Sequence, residues 1–525
     1  SAPGSTPGNT FLYPLTFLPS AFVWLLLCNE NYMISAVVAL LLALWAVDLY
    51  QSAGKRKSRI AVFYILQPLL FFLAGGTVLI FTACFLYLEA LRIGNTSRWK
   101  SYALRVLPAV ALVFLYPVVA RVFCQYPYEK LLGGIHFYRY YYFSYPLQYI
   151  AWALAAAVPL LCRLITEPGT GRLNRLNPAP KPDRLHRLIP ASGPGRGSRI
   201  VSVVLWVLIT AGTVVGLCRF AGLDKERLFG YDILVYEGQW EEVLQRAKND
   251  PPGSSIEMVA VNLALWKTGR LETDLFHYPQ QGPEGLMLPF RRDFVTPLMM
   301  SEVYLHLGMV NSAQRNAYDA MEAIPDFQKS ARCYKRLAET NTINGHYRVA
   351  RSYLEQLSKT LFYRKWAHES MQYLGNEERI AEHPLYGRIR RIRYRDEMLF
   401  SPQGLNAMLD VLYRNNRENT MAYAYMLAYT LLAKDLERFA DYITLEYPAG
   451  SDKPLPVPYQ EALVLYWVQN HSSLEGIPWN ISDAVHRKLN DFTAAYQQFA
   501  GGRPERALKK DFGKTYWYYV FFIKI

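Results

Sequence analysis

The sequence predicts an all-α protein in two parts: a polytopic transmembrane helical domain over residues 1–218 and an α-solenoid soluble domain over residues 219–525. Three observations carry this. Apolar runs long enough to enter a bilayer crowd into the first 218 residues. From residue 224 onward, apolar residues recur at helical spacing and alternating strand runs are scarce. Within that second part, similar junctions marked by glycine recur at intervals of 31, 39 and 37 residues.

The expected spans are residues 11–28, 33–50, 60–74, 77–91, 106–122, 148–165 and 200–218. At about 1.5 Å per residue, runs such as 33–50 and 200–218 cover most of a ~30 Å hydrocarbon core. Residues 11–28, 106–122 and 148–165 each carry one or two prolines, which a bilayer tolerates where neighbouring helices satisfy the freed carbonyls. Residues 60–91 are too long for one ordinary span, and Gly75-Gly76 falls in their middle. They read as a tight hairpin of two short spans, with a single kinked helix as the alternative.

Charge sets the expected orientation. The chain carries 57 basic and 43 acidic residues, a net charge of +14. Residues 55–59 contribute +4, residues 92–105 another +4 and residues 163–199 a further +6, together the whole excess. A basic balance can signal nucleic acid, but this charge sits in short loops between apolar spans, the positive-inside pattern. With seven spans those loops share one side, the cytoplasm, and everything after Cys218 lies outside. The opening stretch SAPGSTPGNT lacks the charged and apolar regions of a secretory signal. It reads either as an interhelical loop of a longer product, with an even number of spans upstream, or as a natural short N-terminus. The six cysteines show no paired spacing, so neither a disulfide framework nor a metal site is expected. Asp48, Glu89 and Arg105 lie near expected cytoplasmic ends of spans, where side chains can snorkel to water; Glu89 is the one with some claim to a role.

Two surfaces stand out as binding candidates. The loop at residues 125–146 (QYPYEKLLGGIHFYRYYYFSYP) concentrates His136, Tyr138, Arg139, Tyr140, Tyr141 and Tyr142. It reads either as an interfacial aromatic belt or as a site whose rings stack on a sugar or headgroup while Arg139 and His136 meet phosphate. The run RIRRIRYR brings Arg388, Arg390, Arg391, Arg393 and Arg395 together. It reads as a solvated helix face or as a patch for an anionic lipid or partner.

In the second part the junctions are EGQW at Gly238, LALWKTGRL at Gly269, VYLHLGM at Gly308 and TINGHY at Gly345. Their spacing brackets the period of about 34 residues of a tetratricopeptide repeat, so stacked antiparallel helix pairs with a concave groove are expected. Ala317 and Ala320 supply small residues for a packed second helix. Residues 420–442 and 459–468 read as amphipathic helices without the glycine marker. No nucleophile elbow, zinc-protease motif or phosphate loop is present. His277, His306, His346, His368 and His383 are too scattered for a ligand pair and read as surface or groove residues.

The segments FLYPLTFLPSAFVWLLL, LPVPYQEALVLYW and KTYWYYVFF resemble an uncharacterised family of bacterial envelope proteins. In that family a polytopic membrane domain precedes a tetratricopeptide-like domain, and the resemblance implies no active site. The expected role is therefore non-catalytic: an inner-membrane scaffold or assembly factor, without cofactor or metal, that meets membrane lipids and recruits envelope proteins in the periplasm. The alternative is a polytopic glycosyl- or lipid-transferase with an appended repeat domain, whose catalytic acid would be Glu30, Glu129 or a residue upstream.

Overall fold

A computed structural model describes residues 14–15, 17–27, 34–54, 56–93, 99–123, 128–133, 153–154, 157, 196–220, 223–324, 329–395, 404–471, 473–499 and 502–525. Among these residues every regular element is a helix and there is no strand. The chain divides into two compact units, Ser1–Lys225 and Glu226–Ile525.

The first unit contains α1 (Leu18–Leu27), α2 (Ile34–Ser52), α3 (Arg56–Ala74), α4 (Val78–Ile93), α5 (Trp99–Ala120), the short α6 (Tyr128–Gly133) and α7 (Arg196–Phe220). Three helical stretches, residues 57–90, 102–120 and 200–219, are long and apolar enough to cross a membrane. The expected span at residues 148–165 lies, apart from three residues, outside the described ones. The first of the three stretches doubles back on itself. Gly75 takes a φ of 58°, a conformation open to glycine because no Cβ meets the backbone. Beyond it Phe85 stacks on Phe63 with ring centroids 3.7 Å apart. In a straight helix these two residues would be separated by roughly 33 Å, so α3 and α4 run antiparallel. Ala39, Ala43, Ala46 and Tyr50 share one face of α2 and are buried with Phe63, Phe81 and Phe85, small residues letting the helices approach closely.

Several polar groups inside this unit are tied to one another across helices. The Gln67 amide donates to Thr82 Oγ1 (3.1 Å) and to the Ala109 carbonyl (2.9 Å). It accepts from the Tyr116 hydroxyl at 3.2 Å, tying α3, α4 and α5 together. Glu89 does not snorkel to water as expected. It is 2% exposed, accepts from the Tyr50 hydroxyl at 2.7 Å and pairs with Arg105 at 2.6 Å. Two opposite charges desolvated together, with a hydroxyl taking the spare lone pair, avoid the cost of an isolated buried ion.

The second unit begins within the first turn of α8 (Leu223–Glu237). It continues through α9 (Trp240–Asn249), α10 (Ser255–Lys267), the one-turn α11 (Leu271–Asp274), α12 (Thr296–His306), α13 (Val310–Glu322), α14 (Ala331–Asn344), α15 (Tyr347–Leu357), α16 (Arg364–Met371), α17 (Glu377–Glu382) and α18 (Pro384–Ile392). Beyond residues 396–403 come α19 (Leu405–Asn415), α20 (Thr420–Leu432), α21 (Leu436–Ile443), α22 (Val457–His471), α23 (Asp483–Phe499), α24 (Pro504–Phe512) and α25 (Tyr516–Phe522).

One backbone device recurs. Gly238, Gly269, Gly308 and Gly345 all have φ between 69° and 85°. Each amide bonds three residues back, and the next amide bonds five back; at Gly308 these are Gly308 N to Leu305 O (3.1 Å) and Met309 N to Tyr304 O (2.9 Å). This pair of hydrogen bonds closes the first helix of a pair with a left-handed residue and launches the second. A fifth copy sits at Lys434, whose φ is 58°, with its amide on Leu431 O and that of Asp435 on Thr430 O. The second helices present narrow apolar faces: Ala313, Ala317 and Ala320 are all fully buried.

Two expectations need correction. Residues 420–432 are not amphipathic, because α20 buries nearly every residue from Met421 to Leu432. Packing between pairs is also not confined to neighbours in the sequence. Helix α11 touches both α20 and α22, the Asn419 amide donates to the Leu307 carbonyl at 2.9 Å, and Phe276 packs on Tyr516 and Tyr519. Such closure explains why α20 has no solvent-facing side.

The glycines make a discriminating test. A Cβ on Gly308 would lie 2.8 Å from the Ile392 carbonyl oxygen, whereas one on Gly345 meets nothing within 4 Å. Gly345→Ala should cost about 1–2 kcal/mol, the left-handed penalty alone. Gly308→Ala should cost distinctly more, because the α18 backbone must also shift. Equal losses in denaturant unfolding would contradict the α12–α18 contact.

Candidate binding groove and buried charge network

A buried charge cluster in the second unit joins α8, α12 and α14. Arg332 clasps Asp232 with both guanidinium nitrogens. Arg336 pairs with Glu302 and lies 3.5 Å from Glu339, and Lys335 reaches Glu339 at 4.0 Å. Three cations thus face three carboxylates. Burial pushes the Glu339 carboxyl up, an effect that Arg336 and Lys335 oppose. Around the cluster, Arg332 and Lys335 lie over the Tyr236 ring, and Tyr236 donates to the Tyr363 hydroxyl at 3.0 Å. The void it lines is about 10 Å³, room for at most about one water. The network is a clasp between helices and has no space for a substrate.

Beside it, further cations gather against aromatic rings. Lys267 Nζ lies 5.3 Å from the centroids of both Trp240 and Trp266, and Arg388 covers the other side of Trp266 at 5.1 Å. Burial and the nearby Arg388 bring the Lys267 ammonium down to about 8. His306, expected at a surface or groove, is buried between these groups. Burial first, then Lys267 and Arg388, hold its ring well below the ordinary histidine value.

The arginine run does not form one patch. Arg388 lies 3.1 Å from His306 Nδ1. Arg390 donates to the Thr342 and Ile343 carbonyls (2.9 and 3.0 Å), and Arg393 to Ile343 O at 2.9 Å. Those carbonyls end α14, where cations are favoured by the unpaired acceptors and the helix dipole. Only Arg391 and Arg395 of the run remain exposed. The aromatic candidates His136, Tyr138, Arg139, Tyr140, Tyr141 and Tyr142 lie outside the described residues, as does Glu30. Glu129 is exposed on α6. Among the described residues no group of three or more His, Cys, Asp or Glu could hold a metal ion.

The sequence motifs did not mark one concave site. An open groove of about 810 Å³ runs along α14–α15, lined by Tyr334, His346, Tyr347, Arg348, Tyr353 and Gln356 among others. Its walls are held in place. Tyr334 packs edge-on against Tyr353 at 5.1 Å, Tyr353 shares a 2.7 Å hydroxyl contact with Tyr318, and Arg390 donates to the Tyr347 hydroxyl at 2.8 Å. Aromatic rings with polar tips beside the Arg348 guanidinium suit a peptide surface. No carboxylate lines the groove.

A second joint unites two of the sequence motifs. Glu461 is 2% exposed and accepts from the Tyr516 amide at 2.6 Å, while its carbonyl accepts from the Trp517 indole at 2.9 Å. Burial raises its carboxyl from 4.5 to about 7, partly opposed by the Tyr516 amide and Lys488. Between those values the folded chain holds a proton that the unfolded chain releases, so this group's contribution falls as pH rises through the window. Glu461→Gln should flatten the dependence, removing up to about 3 kcal/mol of the stability difference between pH 4.5 and pH 7. Unfolding midpoints of both proteins across that range check it; parallel curves would contradict the buried acid.

No curated protein and no solved structure matches the chain. A family model matches residues 3–523, almost the full length. The chain belongs to DUF6057, a family of unknown function.

Proposed function

We propose that this chain is a membrane-anchored helical-repeat scaffold that recruits protein partners through the groove on α14–α15. In this reading the helix pairs are tetratricopeptide-like repeats. Residues 1–218 cross a bacterial inner membrane about seven times, and residues 219–525 face the periplasm. The groove is the observation that carries the proposal. It is open and aromatic, its lining includes the cation Arg348 and no acid, and one of its two helices, α14, is clasped by the Arg332 and Arg336 network. Such a surface binds through many modest contacts. The placement of basic residues in 55–59, 92–105 and 163–199 supports the orientation.

Affinity purification of the full-length protein tests the role. Arg348→Glu combined with Val349→Asp alters two exposed positions on the groove and should strip the co-purifying envelope proteins without lowering membrane levels. Glu129→Gln should leave both partners and phenotype intact; its loss of phenotype with partners retained would sink the scaffold reading and favour a transferase. Topology is checked with an impermeant thiol reagent on spheroplasts. Ser192→Cys should be spared and Lys509→Cys, at an exposed position of α24, should react; the reverse pattern inverts the orientation.

A further inference from the structure

We infer that the turn joining α15 to α16 is a membrane-dipping tip that docks the second unit onto a bilayer surface rich in anionic headgroups. It rests on the reading of the chain as membrane-anchored. Leu361 and Phe362 are 83% and 87% exposed, the two most exposed large apolar side chains among the described residues. They exceed even the outward-facing residues of the apolar helices, such as Leu104 at 79%. They are adjacent in the chain, and the residues on either side are anchored: Leu357 is buried with Ala338, Leu354 and Ala367, and Tyr363 packs against that cluster.

The turn is pre-shaped. Thr360 donates its hydroxyl to the Leu357 carbonyl at 2.7 Å and accepts the Tyr363 amide at 3.2 Å. Arg364 Nε donates to the Ser358 carbonyl at 3.2 Å. Tyr363 is moored to Tyr236 at 3.0 Å, and that ring in turn lies under Arg332 and Lys335. The two apolar side chains are thus presented on a fixed knuckle rather than a loose loop.

Charge identifies the occupant. Lys359, Arg364 and Lys365 flank the apolar pair, all exposed, and no acid lies between Glu355 and Glu369. Lys365 makes only a solvent-exposed contact with Glu369 at 3.9 Å. Two apolar side chains ringed by three cations are too small for a protein interface of ~800 Å² per partner. They fit a bilayer, where rings and aliphatic groups enter the acyl boundary while cations meet headgroup phosphates. Such a contact needs little affinity of its own when the same chain is already anchored, because tethering raises the effective concentration.

The test uses the full chain in nanodiscs of phosphatidylcholine with or without phosphatidylglycerol. Phe362→Cys carries an environment-sensitive fluorophore, in a background lacking other reactive cysteines; Glu437→Cys, exposed on α21, is the wet control. In anionic discs the probe at 362 should shift to the blue, and aqueous dithionite should quench it roughly tenfold more slowly than the control. The shielding should fade in neutral discs and in the Lys359→Glu, Arg364→Glu, Lys365→Glu variant. A probe at 362 as accessible as the control in anionic discs would overturn the tip. So would shielding indifferent to both lipid charge and the triple substitution, which assigns the pair to a protein contact instead. A chain that fails to enter discs refutes the anchoring reading, and the tip falls with it.

Discussion

The second unit depends on one backbone constraint repeated along it: a residue forced into left-handed geometry at the end of the first helix of a pair. Once Gly238, Gly269, Gly308 or Gly345 adopts positive φ, two carbonyls of the finished helix are satisfied and the chain leaves at a fixed angle. Everything packed between pairs inherits that angle. Lys434 shows the constraint is geometric rather than a property of glycine. It accepts the strain of a φ of 58° and sends its ammonium to the Val520 and Ile523 carbonyls (2.8 and 2.6 Å) at the end of α25. A side chain there costs backbone strain but supplies a cap for the terminal helix, which glycine could not.

The helix ends created in this way also account for where the buried cations sit. Arg390 and Arg393 occupy the end of α14, and Arg388 reaches the end of α12 beside His306. A run of arginines that in isolation suggests a surface for anions is thus largely consumed by internal acceptors. The balanced cluster of Asp232, Glu302 and Glu339 with Arg332, Lys335 and Arg336 clasps α8, α12 and α14. Its partners are desolvated together, which makes removal of any one more disruptive than replacement of all. In the first unit the same logic holds Glu89 against Arg105 and Tyr50. In both units buried charge fixes which helices meet.

The sequence by itself determined the helical class, the concentration of apolar helices in the first part and the four glycine junctions. Each of these is a local property: hydrophobic period, run length, or the absence of a Cβ where φ must be positive. It also displayed the segments around Glu461 and Tyr516 as distinctive. What it could not show was that they touch, because nothing local pairs a carboxylate with an amide 55 residues away. Only the tertiary structure decided that Lys434 stands in for glycine, that α20 is buried on every side, and that Arg390 caps a helix rather than facing solvent. It alone revealed the α14–α15 groove, whose tyrosines come from two helices and two periodic patterns that look ordinary in one dimension. The physical reason is common to all of these. Burial, capping and concavity depend on which elements meet, and that is set by long-range closure of the helix array rather than by any residue's neighbours in the chain.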